Sequence, residues 1–177
     1  MRITQRIGAL IVAGGLLISL FGCTSETPSG TDQHTSDQTN DQHTAYHGGC
    51  LNVIETCELG HAEVRISGDQ LQLWFVGGEN ETKRAVRISA RQVVLAITPE
   101  NGGQKNLTLM AKPIVLAEES VGDCSYFEGS ADWLTGVKQF TASGTVELKG
   151  RPRSIRISYP DGYDPEEDHG HTGGHGK

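Results

Sequence analysis

Short apolar segments with a two-residue periodicity recur along the middle of the chain, and glycine-containing turns separate them. Around the turn Ser67–Gly68–Asp69, apolar and polar side chains alternate over residues 62–67 and 70–75, which is typical of a β-hairpin. The same pattern predicts further strands over 86–88, 93–98, 107–109 and 114–116 and a closing hairpin over 140–148 and 155–159. Residues 129–134 are the one helical candidate. We therefore predict an all-β fold, a single antiparallel β-sandwich or barrel of about immunoglobulin-domain size, over residues 47–163.

The two ends of the chain differ in composition from this middle part. Residues 23–46 are rich in Thr, Ser, Asp and Gln, and they repeat the motif Asp-Gln-His-Thr. Such a segment has too little apolar surface to offset the entropy of ordering it. Residues 164–177 are acidic and rich in Gly and His. We predict a disordered tether over 23–46 and a disordered tail over 164–177.

Residues 1–22 have the features of a bacterial lipoprotein signal peptide. Two arginines precede an uncharged, mostly apolar run over residues 7–21, and Gly22 then precedes Cys23. This pattern predicts cleavage before Cys23 and lipidation of its thiol, so that acyl chains attach the protein to a membrane. A secretory peptide that is cut elsewhere, or an uncleaved anchor, is the alternative. Thr24, rather than Asp, follows the cysteine, which favours the periplasmic side of the outer membrane over the inner membrane.

The charge distribution argues against nucleic acid as a partner. The formal net charge is -7, and residues 50–158 carry 13 acidic and 12 basic side chains, so no basic excess is available for phosphates. The chain has no Gly-x-Ser-x-Gly nucleophile motif and no Cys-x-x-Cys redox pair, and His61 is the single histidine of the strand region. No set of nucleophile, base and orienting group can be assembled, so we predict that the protein is not an enzyme.

The C-terminal tail has the composition of a metal-capture segment. It places His169, His171 and His175 among glycines and next to Asp168. Imidazole with carboxylate suits transition metals such as Cu, Ni, Zn or Co, and the tail is predicted to bind one weakly. The same composition also suits a soluble, unstructured end.

An ordered metal site is predicted at the start of the first clear strand. His61 and Glu63 lie two residues apart and so face the same side of a strand. His47 or Cys50 could supply the further ligand that a fixed site needs. A histidine that simply makes a polar contact in the strand is the alternative.

Three cysteines remain once Cys23 is lipidated, and an exported protein favours their oxidation. Cys57–Cys124 is the first choice of disulfide, because it would close a long loop between the first strand and a later one. Cys50–Cys57 is the competing pair across a short loop, and buried free thiols are the third possibility.

Several stretches resemble small hypothetical lipoproteins of planctomycete-type bacteria. The resemblance is carried by His47-Gly-Gly-Cys50, Gly60-His-Ala-Glu63, residues 71–77, 127–136 and 159–164. Similar domains accompany heavy-metal efflux adaptors. The resemblance covers residues 47–164 and implies a β-rich exported domain linked to metal handling, but it carries over no catalytic residue. The helical hairpin of an efflux adaptor has no match in this chain.

Two functions are consistent with these features. The first is a lipid-anchored periplasmic or cell-envelope β-domain with a metal-binding or metal-handling accessory role. The alternative is a non-catalytic envelope interaction module that binds a protein partner without metal. Its binding surface would be a sheet edge or an exposed pair of tryptophans, Trp74 and Trp133.

Overall fold

Eight antiparallel strands form one sheet in residues 43–168, the part of the chain that the computed structural model describes. In chain order they are β1 (Cys50–Val53), β2 (His61–Ser67), β3 (Gln70–Val76), β4 (Gln92–Pro99), β5 (Lys105–Ala111), β6 (Tyr126–Ser130), β7 (Phe140–Leu148) and β8 (Arg151–Tyr159). Helix is confined to two single turns of 3-10 helix, Val115–Ala117 and Asp132–Leu134, and to α1 (Pro165–Asp168) within this range. The predicted all-β antiparallel fold is confirmed.

The sheet is nearly closed into a barrel. Its strand order is β1-β2-β3-β6-β5-β4-β7-β8, so β1 and β8 are the two ends of the hydrogen-bonded ladder. These ends approach one another after β8, where the Val53 N–H donates to the Tyr163 carbonyl at 2.7 Å. Both edges are therefore partly covered, which limits their use for pairing with another chain.

One core fills the inside of the barrel. Side chains of alternate residues point inward along each strand, and fully buried examples are Val64, Leu73, Leu95, Leu109 and Phe127. The register of β2 and β3 is that of the predicted hairpin, with Val64 opposite Leu73. The two-residue periodicity thus identified the inward face correctly.

Two predicted strands have a different structure. Residues 114–116 were expected to be extended but enter a 3-10 turn, because Pro113 has no N–H for a ladder and Glu118 turns the chain with a φ of 56°. Residues 86–88 form no strand; they contribute one isolated bridge, Ile88 with Cys124, next to the bridge of Ala85 with Val76. Of the predicted helix over 129–134, only Asp132–Leu134 form a helical turn. The first two residues of the predicted segment, 129 and 130, belong to β6.

The domain boundaries also differ from the expectation at the N-terminal side. Residues 43–46, predicted to be tether, contact the barrel, for example through the Thr44 carbonyl, which accepts from Thr82 Oγ1 at 2.8 Å. The predicted signal peptide, Cys23, the rest of the tether and the tail histidines His169, His171 and His175 lie outside the described residues.

The buried side chain of Asn52 joins the two ends of the sheet. Its Oδ1 accepts from the Ser158 N–H of β8 at 2.9 Å, and its Nδ2 donates to the Ala62 carbonyl of β2 at 3.1 Å. An amide can serve both partners because it carries a donor and an acceptor on one planar group. Asn52 therefore makes a connection that the backbone ladder does not make.

Replacing Asn52 with leucine should lower the free energy of unfolding by about 1–3 kcal/mol, because it leaves the Ser158 N–H without its acceptor and removes a side-chain donor from the Ala62 carbonyl. Denaturant unfolding followed by circular dichroism measures the effect. Asn106→Leu, at an exposed position of β5, is the matched control and should change stability by about 0.5 kcal/mol or less. Equal losses in the two variants would contradict the role assigned to Asn52.

Candidate metal site

His43, Cys57 and His61 converge at one end of the barrel. Their candidate ligand atoms all lie within 4.8 Å of one another. The His43 Nδ1 is 3.0 Å from the His61 Nε2, and the Cys57 Sγ is 3.5 Å and 3.8 Å from these two nitrogens. Two imidazoles and one thiolate are ligands that Zn, Cu, Co and Ni accept. This group can hold a metal ion.

Three separate segments supply the ligands. His61 is the first residue of β2, Cys57 lies in the β1–β2 loop, and His43 lies in the segment that precedes β1. The loop is closed at its base by the Ile54 N–H, which donates to the Gly60 carbonyl at 3.0 Å. Because Cys57 and His61 lie on the same loop and strand, the fold fixes their separation before any metal arrives.

The residues after β3 support the loop that carries Cys57. The Glu79 N–H donates to the Cys57 carbonyl at 3.1 Å. Gly78 allows this close approach, since a Cβ there would lie 2.3 Å from the Cys57 carbonyl oxygen. A larger residue at position 78 would push the two segments apart.

The tautomer of His61 suits metal coordination. Its Nδ1 lies 2.9 Å from the Gly77 carbonyl, which can only accept, so Nδ1 carries the proton and Nε2 presents its lone pair to Cys57 and His43. A backbone acceptor on the far nitrogen is the usual way in which proteins orient a metal-binding imidazole. Burial lowers the pKa of His61 below its ordinary value, and the nearby His43 adds to this effect. His61 is therefore neutral at pH 7.

The Cys57 thiol is protonated at neutral pH in the absence of metal. Burial raises its pKa, the Glu79 N–H opposes this, and the charges of Glu58, Asp164 and Glu166 raise the pKa further. Since a thiolate is the form that binds metal, a metal ion must displace this proton.

The three ligands border an open, acidic cleft of about 380 Å³. Four carboxylates line it, from Asp161, Asp164, Glu166 and Glu167. A structural metal site is usually closed by a fourth protein ligand, whereas three ligands with an open side leave a position for water or another ligand. The acidic lining attracts cations to that position.

The group that the structure brings together differs from the predicted ligand set. His61 belongs to the group, but Glu63 does not, although both are buried on the same face of β2. The Glu63 carboxylate binds His47 instead, with its Oε2 at 2.9 Å from the His47 Nδ1. Cys50 lies apart, and its thiol donates to the Ser158 carbonyl at 3.6 Å.

The expected Cys57–Cys124 disulfide is absent, and the three described cysteines are free thiols. The two sulfurs have different surroundings, because Cys57 faces the histidines and the Cys124 thiol donates to the Tyr126 carbonyl at 3.0 Å. The competing Cys50–Cys57 pair is not formed either.

The surfaces expected for a non-metal interaction module are largely covered. Trp74 is 8% exposed and is stacked between His47 and Tyr126, with centroid distances of 4.5 Å and 4.8 Å. Trp133 is partly buried, with the Lys105 ammonium 4.9 Å from its ring centroid. Trp74 therefore presents no free aromatic face.

Comparisons of the chain with protein-family models, with curated proteins and with solved structures found no match. Within residues 43–168, no helix has the length and apolarity needed to span a membrane.

Proposed function

We propose that this protein is a metal-handling accessory of the cell envelope, attached to a membrane by lipid on Cys23. Its folded domain binds one transition-metal ion, Zn, Cu, Ni or Co, through His43, Cys57 and His61. The domain passes the ion through its acidic cleft to or from the surrounding medium, and it carries out no catalysis of its own.

The observation that carries this proposal is the convergence of two imidazoles and a thiol from three segments of the chain. A histidine that only satisfies a polar group in a strand needs one partner, and Gly77 already provides it for the His61 Nδ1. The Nε2 instead faces two further metal-ligand side chains. The open cleft supports exchange of the metal over permanent burial, because the ion would keep an accessible coordination position.

Calorimetric titration of the full-length chain with Zn(II) tests the metal-binding part. We expect one tight equivalent and a weaker class from the tail. Replacing His169, His171 and His175 with asparagine should remove only the weaker class of binding sites. These substitutions leave the carboxylates of the acidic cleft unchanged. Loss of all binding in the tail variant would contradict the proposed site.

The membrane attachment rests on the Gly22–Cys23 junction that follows the apolar run. Cys23→Ser should leave the protein as an unprocessed precursor or in the soluble fraction. Cell fractionation of the variant beside the parent measures this. A variant of mature length that stays in the membrane fraction as the parent does would contradict lipid anchoring.

One observation favours the second function, an envelope interaction module. Val115 and Leu116, in the β5–β6 connection, are 82% and 99% exposed, and such a projecting apolar tip is a common binding feature. A photo-crosslinking residue at position 116 should then form adducts in intact cells, whereas the same probe at Lys149, in the β7–β8 turn, should not. Equal yields at the two positions would count against this function.

A further inference from the structure

The segment that carries His43 is held to the outer face of the barrel by a buried carboxylate. Glu63 is fully buried, although its position in β2 points it away from the core. Its Oε1 accepts from the N–H groups of His47 and Gly49 at 2.6 Å and 3.0 Å. Its Oε2 accepts from the Tyr46 N–H at 3.1 Å and from the His47 Nδ1 at 2.9 Å. Four donors thus converge on one carboxylate, and all of them come from residues 46–49.

Side chains of the barrel add further contacts to the same segment. The His47 ring is stacked on Trp74 with an interplanar angle of 3°. The Arg65 guanidinium donates to the His47 carbonyl at 2.9 Å, and Thr82 Oγ1 donates to the Thr44 carbonyl at 2.8 Å. The last contact fixes the residue next to His43.

From these contacts we infer that residues 43–49 form an N-terminal clasp, that Glu63 is the positioning residue that holds it, and that metal binding and clasp docking stabilise each other. This inference rests on the proposed metal-binding function. Glu63 touches no metal ligand, so it acts through the backbone of the clasp. The occupied site would in turn hold His43, and with it the clasp, against the barrel.

The coupling follows from where the ligands lie. Cys57 and His61 are positioned by the barrel, but His43 reaches them only when the clasp is docked. When the clasp is undocked, coordination by His43 must also order residues 43–49. The conformational entropy that these residues lose reduces the affinity for metal. By linkage, metal must favour the docked clasp by the same factor by which docking favours metal.

Glu63→Gln in the full-length chain tests this inference, with Co(II) as the probe. The thiolate-to-cobalt absorption reports on Cys57, so binding by the tail histidines does not contribute to it. Glutamine keeps the size of the side chain but replaces one acceptor oxygen with an NH2 group. That group cannot accept from the donors that now face it. We expect the dissociation constant to rise at least tenfold, while the thiolate absorption still appears at saturating Co(II). An unchanged dissociation constant would overturn the inference and leave the proposed function intact.

Glu119→Gln is the matched control. Glu119 is also a buried carboxylate, and it accepts from the Ile114 N–H at 3.0 Å and from Ser125 Oγ at 2.5 Å, in the β5–β6 connection. Its replacement should change the affinity for Co(II) less than twofold. An equal loss of affinity in both glutamine variants would show a general effect of destabilisation and would overturn the role of Glu63.

Thr82→Val gives a second test if Glu63→Gln does not fold. It removes one contact to the clasp with little change in volume and should weaken Co(II) binding about threefold. Hydrogen exchange of the parent completes the test, since metal should slow exchange at the amides of Tyr46, His47 and Gly49. Unchanged exchange in a parent that binds Co(II) would overturn the coupling, whereas a parent that binds no Co(II) would refute the proposed function itself.

Discussion

Cys57→Ser should weaken Zn(II) binding by the full-length chain about a hundredfold or more, which corresponds to about 2.8 kcal/mol of binding free energy. The substitution removes the single thiolate of a three-ligand group, and the remaining imidazoles retain only weak binding. A serine hydroxyl at position 57 is a poor replacement, because it stays protonated and neutral at pH 7. Competition with a chromophoric chelator measures the affinity, with the three tail histidines replaced so that one class of site is present.

Cys50→Ser is the control for this prediction, because it makes the same chemical change at another partly buried cysteine, which begins β1 at the end away from the β1–β2 loop. It should leave the Zn(II) affinity within about twofold of the parent. If the two serine variants bind equally well, the thiol of Cys57 is not a ligand.

The affinity of the parent should fall as the pH is lowered. The raised pKa of Cys57 means that Zn(II) displaces one thiol proton throughout the neutral range. The lowered pKa of His61 means that this imidazole adds no competing proton there. Between about pH 7 and pH 8 we expect about tenfold weaker binding per unit decrease in pH, and Cys57→Ser should lose this slope. A parent affinity that does not change over this range would contradict thiolate ligation.

The second large effect is expected at Gly78. In Gly78→Ala the new Cβ would lie 2.3 Å from the Cys57 carbonyl oxygen and 2.6 Å from the Glu58 carbonyl carbon. These are backbone atoms that cannot turn aside, so the β1–β2 loop must move. We expect the free energy of unfolding to fall by about 3 kcal/mol. The Zn(II) affinity should fall at least tenfold, because Cys57 moves with the loop.

Gly103→Ala is the matched control, since a Cβ at that position meets nothing within 4 Å. It should change stability by about 0.5 kcal/mol or less. Denaturant unfolding measures the stability of both variants, and competition with the chromophoric chelator measures their Zn(II) affinity. A Gly78→Ala variant with the stability and affinity of the Gly103→Ala variant would contradict the packing described between the two loops.

The fold was predictable where apolar periodicity and turn residues agree. The β2–β3 hairpin and the β7–β8 hairpin combine alternating side chains with Gly68 and Gly150 in their turns, and both are present. β1 was not recognised because it has four residues and contains Asn52, whose buried role depends on partners in two other strands. β6 was missed for a similar reason, since Glu128 and Gly129 interrupt its apolar pattern.

The site was only partly predictable, because its ligands depend on contacts between distant segments. Strand periodicity correctly placed His61 and Glu63 on one face, but burial of that face depends on residues 43–49 covering it. His43 was assigned to the tether on composition, and Cys57 was assigned to a disulfide. The spacing Cys57-x-x-x-His61 was the one local signal that could have indicated a shared site.

X-ray absorption at the zinc edge of the full-length chain, loaded with one equivalent of Zn(II), tests whether His43, Cys57 and His61 bind the ion. The tail histidines are replaced in this sample. We expect one sulfur at about 2.3 Å and two imidazole nitrogens at about 2.0 Å from the zinc, with the sulfur absent in Cys57→Ser. A first shell of nitrogen and oxygen alone in the parent would contradict the assignment of His43, Cys57 and His61 as the metal site.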